Sequence, residues 1–168
     1  MVEVDKFVGK TFPTPEGGTL TALVYMGMDN NYSRLYKVEC NICKLDLELN
    51  PEYYISSKSN LDNGSCPCGC ARNPQWSSEQ QVVRIRRECT DRGYLFSGFV
   101  GDYKGSTKTY LNLYNPVTGN KWSTTNIANF FKGRGDPEQG VLDAAHNSTI
   151  LSKTYIKTMI NKFSSLSH

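Results

Sequence analysis

Cys40-Asn41-Ile42-Cys43 and, after 22 intervening residues, Cys66-Pro67-Cys68-Gly69-Cys70 hold five of the chain's six cysteines. A C-x-x-C turn sets two sulfurs roughly 3.5–4 Å apart with backbone amides aimed at them, and a second hook completes a tetrahedral site with Zn–S bonds of about 2.3 Å. The spacing therefore predicts one structural zinc ion, although the second hook is irregular and offers three thiols for two places. Buried free thiols and a disulfide framework are the competing readings. The opening Met1-Val-Glu-Val-Asp-Lys6 has neither the basic region nor the apolar core of a signal peptide, so a cytoplasmic location is expected, where disulfides are disfavoured.

Outward from the first hook, Leu35–Cys40 reads as a strand with Tyr36, Val38 and Cys40 on one face and Lys37 and Glu39 on the other. Leu20–Tyr25 is its partner across a hairpin loop at Met28–Tyr32. Asp46–Leu49 is expected to return as a third short strand, and Ile55–Leu61 to form one helical turn before the second hook. Ser77-Ser-Glu-Gln80 is a capping box opening a helix to about Cys89, with Val82, Ile85 and Cys89 on one face and Arg84 and Arg87 on another.

A second strand-rich segment follows. Tyr94–Val100 and Thr109–Tyr114 read as strands, Asn115–Gly119 as a tight turn and Lys121-Trp122 as a short return strand. Ser123–Thr125 is expected to cap a short helix that turns Ile127, Phe130 and Phe131 inward and stops at Gly133. After a link over residues 133–140, a last helix capped near Ser148 is expected to bury Ile150 or Leu151, Tyr155, Ile156, Met159, Ile160 and Phe163, with Lys153, Lys157 and Lys162 facing out.

The two segments run through the same order of elements. Setting Val38 beside Leu113 places Cys40 opposite Asn115 and Ile42 opposite Val117, and a short gap brings Pro67 opposite Pro137. Asn115, Thr118, Asp136 and Glu138 then occupy the four ligand neighbourhoods, so the second copy has lost every sulfur and is expected to hold no metal.

Of the 168 residues, the first 70 carry 6 Lys and Arg against 9 Asp and Glu, whereas residues 71–168 carry 13 against 7. A basic half favours a polyanionic partner. No apolar run approaches the roughly 20 residues of a membrane helix, so no membrane partner is expected. No catalytic set is visible. The two histidines, His146 and His168, belong to no metalloprotease or nuclease pattern, and there is no phosphate-binding Walker loop. Cys89 sits on an apolar helix face as a core residue, and Asp46 and Glu48 read as a solvated strand face. A zinc bound by four thiolates leaves no position open for water or substrate. The expectation is a protein that is not an enzyme.

Tyr103-Lys-Gly-Ser-Thr-Lys-Thr-Tyr-Leu111, Trp122-Ser-Thr-Thr-Asn-Ile127 and Phe131-Lys-Gly-Arg-Gly-Asp-Pro137 resemble the zinc-ribbon-like repeats of phage proteins, which are often appended to homing-type nucleases. Those repeats usually close on Gly-x-Gly-Cys-Pro, and here Asp136 replaces the cysteine. The stretch from Cys40 through Asn63-Gly64 to Cys70-Ala-Arg-Asn-Pro-Gln-Trp76 is similar to phage proteins that join both kinds of module. The resemblance spans roughly residues 17–137. It implies Cys40, Cys43, Cys68 and Cys70 as the ligands, with Cys66 spare, and no ligand in the second copy.

The fold expected is α+β. Two small zinc-ribbon-like β-hairpin modules, at residues 1–76 and, without cysteines, 93–140, are joined by a helix over 77–92 and followed by an amphipathic helix over 141–168. The function expected is binding of DNA or RNA, with Arg72, Arg84, Arg87, Arg92, Lys104 and Lys108 meeting phosphates and Trp76, Tyr94 and Tyr103 interleaved for stacking. The alternative is a phage effector that binds and inhibits a host defence or transcription protein.

Overall fold

The computed structural model describes residues 3–164, the side chains of residues 150–156 and 162–164 excepted. The chain forms two compact units, Met1–Arg84 and Ile85–His168.

In the first unit, strands β1 (Thr11–Pro13), β2 (Thr19–Met28), β3 (Arg34–Cys40) and β4 (Tyr54–Ser57) form one antiparallel sheet in the order β1-β2-β3-β4. The alternation in β3 is the reason it lies where it does. Tyr36, Val38 and Cys40 are buried and pack with Phe7, Leu20, Ala22 and Leu61 into a core that includes the cysteines. The hairpin loop closes on Asp29, whose Oδ1 accepts from the N–H groups of Asn31 and Ser33, while Tyr32 takes a positive φ of 58°.

Asp46–Leu49 is not a strand. Cys43–Leu45 is a single 3-10 turn, and the next residues stay curled because the Asp46 carbonyl accepts from the Asn50 backbone N–H at 2.9 Å. The place beside β3 belongs to β4. The helical turn expected at Ile55–Leu61 is shared between β4 and α1 (Lys58–Asp62), which Ser57 caps by accepting from Asn60 N–H. A hydroxyl that caps fixes the strand-to-helix switch at its own position.

The capping box holds as read. Ser77 Oγ accepts from Gln80 N–H at 3.2 Å, and Gln80 Oε1 accepts from Ser77 N–H at 2.9 Å. It opens α2 (Ser78–Arg92), whose buried residues are Gln81, Ile85 and Cys89, a stripe at i, i+4, i+8, with Val82 only half-buried.

In the second unit, β5 (Leu95–Phe99), β6 (Leu111–Asn115) and β7 (Asn120–Trp122) form an antiparallel sheet in that order, followed by α3 (Ile127–Phe131) and α4 (Pro137–Ser164). Ile85, Cys89, Leu111, Leu113, Trp122, Ile127 and Phe130 make the core. The cap of α3 is Asn126, which accepts from Asn129 N–H, and not Ser123–Thr125. Thr125 is buried instead, its hydroxyl accepting from Trp122 Nε1 at 3.2 Å. Helix α4 begins well before Ser148. Pro137 suits a first helical position, and the Asp136 carboxylate accepts from Glu138 N–H at 2.9 Å. Lys157 is exposed and Met159 half-buried, but Ile160 is exposed, against expectation. The expected burial of Ile150, Leu151, Tyr155, Ile156 and Phe163, and the placing of Lys153, Lys162 and His168, lie outside the described residues. Among the described residues no helix is long and apolar enough to cross a membrane.

The two sheets share an irregularity. In the first, pairing slips between Ala22↔Val38 and Val24↔Lys37; in the second, between Phe96↔Leu113 and Gly98↔Asn112. With Val38 set against Leu113, both β-bulges fall at the same place in the hairpin. A bulge is a specific local device, and finding it twice in one register is strong evidence of duplication.

Replacing Ser77 with Ala removes the acceptor for Gln80 N–H. It is expected to lower stability by about 1 kcal/mol in a urea titration.

Candidate metal centre and its hydrogen-bonded counterpart

Strand β3 delivers Cys40 to the buried face of the first sheet, and the turn after it brings Cys43 round beside it. Asn41 pins this turn to β2: its N–H donates to the Thr19 carbonyl at 3.1 Å and its Oδ1 accepts from Thr19 N–H at 2.7 Å. Cys43 N–H points at Cys40 Sγ at 3.5 Å. On the other side, Gly64, at φ 81°, turns the chain out of α1 and into the second hook.

Cys40, Cys43, Cys68 and Cys70 are all buried, and their sulfurs lie within 4.8 Å of one another. A tetrahedral ion with metal–sulfur bonds of about 2.3 Å needs sulfur–sulfur edges of about 3.8 Å. Cys40–Cys70 measures 3.8 Å and Cys43–Cys70 3.7 Å. The four are close enough to hold a metal ion, and the donor set and spacing are compatible with zinc. Cys66 is half-buried and stands 3.4 Å from Cys68.

The thiols differ electrostatically. Burial opposes ionisation of Cys40, but the N–H groups of Cys43 and Ile42 outweigh it and pull the thiol below its ordinary value. Burial pushes Cys70 up to about 12 and Cys68 well above its usual range, with the neighbouring sulfurs adding to the rise. A buried cluster of this kind favours protons or a cation over four bare thiolates. Cys89 is separate, in the core of the second unit, where burial raises it to about 11.

The second hook leaves no room for a side chain at Gly69. A Cβ there would lie 2.8 Å from the Trp76 ring and 2.9 Å from Asn50 Oδ1. The Arg84 guanidinium lies 4.8 Å from the Trp76 ring centroid and donates to Gln81 Oε1 at 2.9 Å. The hook thus supports the ring on which Arg84 rests.

At the corresponding place in the second unit lies a carboxylate. Asp136 is 4% exposed and accepts four hydrogen bonds. Asn115 Nδ2 and the Thr118 hydroxyl donate to Oδ2 at 2.8 and 2.6 Å, and Asn120 Nδ2 and Glu138 N–H donate to Oδ1 at 2.7 and 2.9 Å. Burial alone would raise the carboxyl; the donors from Thr118, Asn120, Asn115 and Glu138 overcome it and hold Asp136 at about 2. Asn115 and Thr118 are the residues set opposite Cys40 and Cys43. Glu138 contributes its backbone N–H, and the remaining side chain comes from Asn120, which the sequence reading did not single out.

A family profile described as the CapR homology domain matches residues 4–71 and again residues 80–140. The chain belongs to the CapR homology domain family. It carries two copies in tandem, each longer than the segments compared in the sequence, since the first takes in the N-terminal turn with β1 and the second takes in most of α2. A tie to phage proteins or homing-type nucleases is no part of this assignment. No curated protein and no solved structure matches the chain.

The CapR copies agree in detail. Ser57 and Asn126 each cap a five-residue helix; Leu61 and Phe130, at the same distance from their caps, are fully buried; Gly64 and Gly133 follow with φ of 81° and 101°.

The basic residues singled out in the sequence fall in different surroundings. Arg72, Lys104 and Lys108 are exposed, and Arg84 and Arg87 are half-buried. Arg92 serves the fold of the second copy: it donates to the carbonyls of Phe130 at 3.1 Å and Arg134 at 3.3 Å, with its guanidinium 4.6 Å from the Phe130 ring centroid. Arg86 is exposed, and the nearby ion pair is Arg92–Glu88 at 3.8 Å.

Two outcomes are expected. Asp136→Asn places an amide donor against existing donors and should destabilise the second copy by about 2–4 kcal/mol in denaturant. Because Asp136 is depressed from 3.8 to about 2, its stabilisation is complete above pH 3.8 and is lost as the pH falls through about 2. The variant should lack that acid limb. Gly69→Ala should cost about 1–3 kcal/mol through its overlap with Trp76, read by thermal melting and by the Trp76 emission.

Proposed function

We propose that the chain is a non-enzymatic nucleic-acid-binding protein whose first CapR copy is closed by one structural zinc ion on Cys40, Cys43, Cys68 and Cys70. The sulfur–sulfur separations of 3.7 and 3.8 Å support zinc. Four thiolates complete a tetrahedron, so the ion holds structure and leaves no site for a substrate. Elemental analysis should find one zinc per chain. Cys43→Ser should lose the metal and the fold of the first copy, and Cys66→Ser should keep both. A chain without zinc, or one with Cys66 in a disulfide, contradicts this.

Charge segregation carries the nucleic-acid reading. Residues 85–168 hold 11 Lys and Arg against 6 Asp and Glu, and Asp136, one of the six, is buried with its carboxylate saturated. Exposed cations flank α3. Lys104 and Lys108 belong to the loop whose Ser106 and Thr109 carbonyls accept from Ala128 and Ile127 N–H, and Lys132 and Arg134 follow the helix. Arg84 and Arg87 lie one turn apart on α2 and can reach the same or neighbouring phosphates. Arg92 is left out of this surface.

Fluorescence anisotropy with duplex and single-stranded oligonucleotides over a salt series tests the reading. Arg84→Ala with Arg87→Ala should weaken binding and reduce the log–log salt slope by about two. Unchanged binding in the double variant moves the surface to Lys104, Lys108, Lys132 and Arg134. No affinity for either oligonucleotide at low salt overturns the reading. A protein partner, including the host target of a phage effector, then takes its place, favoured by the exposed apolar side chains Val24, Met26, Met28 and Ile55 of the first sheet.

A further inference from the structure

The first unit is acidic, with 8 Lys and Arg against 10 Asp and Glu over residues 1–84. Yet four of those eight cations, Lys6, Lys10, Arg34 and Lys58, line a single open cleft of about 600 Å³ together with Phe7 and Tyr25. They come from separate parts of the chain. Lys6 and Lys10 belong to the turn before β1, Arg34 opens β3, and Lys58 opens α1. The Lys10 and Lys58 ammonium groups stand 5.2 and 5.6 Å from the centroid of the same Phe7 ring.

The three carboxylates of the lining, Glu3, Asp5 and Asp62, offset most of this charge and leave the cleft with a net charge of +1. Asp5 is occupied by the fold: its Oδ2 accepts from the Tyr36 hydroxyl at 2.6 Å and its Oδ1 from Phe7 N–H at 2.9 Å. Asp62 pairs with Lys10 at 2.8 Å, and Glu3 is the remaining carboxylate of the lining. Bringing like charges together costs free energy, and contact with an aromatic face returns only about 0.5–1 kcal/mol per cation at an exposed site. An anion that met Arg34 and Lys58 would offset the positive charge that is left. The aromatic groups narrow the kind of anion. Tyr25 is 41% exposed, with the Arg34 guanidinium 5.8 Å from its ring centroid, so a ring and a positive charge are offered side by side.

We propose that this cleft binds a phosphate-bearing nucleotide, Arg34, Lys10 and Lys58 meeting the phosphate and Tyr25 stacking on the base. The site lies in the first unit, uses none of the residues of the basic surface proposed above, and is tested separately from it. The nucleotide has two possible sources, a free nucleotide or the phosphorylated end of a strand, which share this chemistry.

The test titrates the full zinc-loaded chain with four probes: adenosine, adenosine 5′-monophosphate, and a short oligothymidylate with and without a 5′-phosphate. Amide chemical shifts of Phe7, Tyr25, Arg34 and Lys58 report on the cleft. Both phosphorylated probes should shift these amides, and adenosine should not. Tighter binding of the monophosphate assigns a free nucleotide, and tighter binding of the phosphorylated strand assigns a strand end. Arg34→Ala with Lys58→Ala changes exposed residues and should weaken the phosphorylated probes about tenfold or more, and Arg34→Lys with Lys58→Arg should restore most of that loss. Equal response to adenosine and its monophosphate overturns the proposal, as does the absence of shifts in these amides or unchanged affinity in the double-alanine variant. A strand that binds only through Arg84 and Arg87, with the cleft amides unmoved, removes this site and leaves the proposed basic surface intact. Monophosphate binding without duplex affinity does the reverse.

Discussion

A short hairpin whose last strand runs into a tight turn has little apolar area with which to hold the chain that returns to it. In both CapR copies a closing segment, after one turn of helix and a positive-φ glycine, must be fastened to the turn that follows the second hairpin strand. That fastening is the constraint on which the rest depends. In the first copy four thiol sulfurs converge on it; in the second a buried carboxylate gathers three side-chain donors and one backbone donor. The two solutions share a physical form, a buried polar cluster whose members come from the segments to be joined. With the proposed zinc, metal binding becomes folding free energy in the one; charge-assisted hydrogen bonds do that work in the other.

The fastening also fixes what surrounds it. In the first unit the second hook brings Gly69 against Trp76, and Trp76 carries Arg84. In the second, the residue that fastens the turn also accepts from the first turn of α4, so one carboxylate closes the module and starts the next helix. Asp136 N–H donates to the Tyr94 hydroxyl at 3.3 Å, which ties the same point to the entry of β5. Loss of either centre therefore reaches beyond the turn it occupies.

Much of this was legible in residue patterns. The alternation of Tyr36, Val38 and Cys40 fixed both the sheet face and the position of the first hook, and the Ser77–Gln80 box placed the start of α2. The duplication could be read because a tight turn keeps its shape when cysteines become Asn115 and Thr118. What was not legible depends on contacts distant in sequence. Asp46–Leu49 alternates well enough for a strand, but local hydrogen bonds curl it and β4 takes its place. Asn120 carries no sign of its role, since only the fold brings it to Asp136. Arg92 resembles a surface cation in sequence and is recruited by the carbonyls of Phe130 and Arg134. The cleft of the first unit was hidden in an acidic half, because its four cations are spread from residue 6 to residue 58.

If the copies are closed by different chemistry, they must respond differently to removal of metal. Native-state amide exchange, followed residue by residue before and after treatment with a strong zinc chelator at neutral pH, separates them. The account predicts that protection collapses through β2, β3 and β4 and survives in β5, β6 and β7. Protection unchanged in the first sheet would show that the thiols need no metal, and equal loss in both sheets would show that Asp136 is not what closes the second copy.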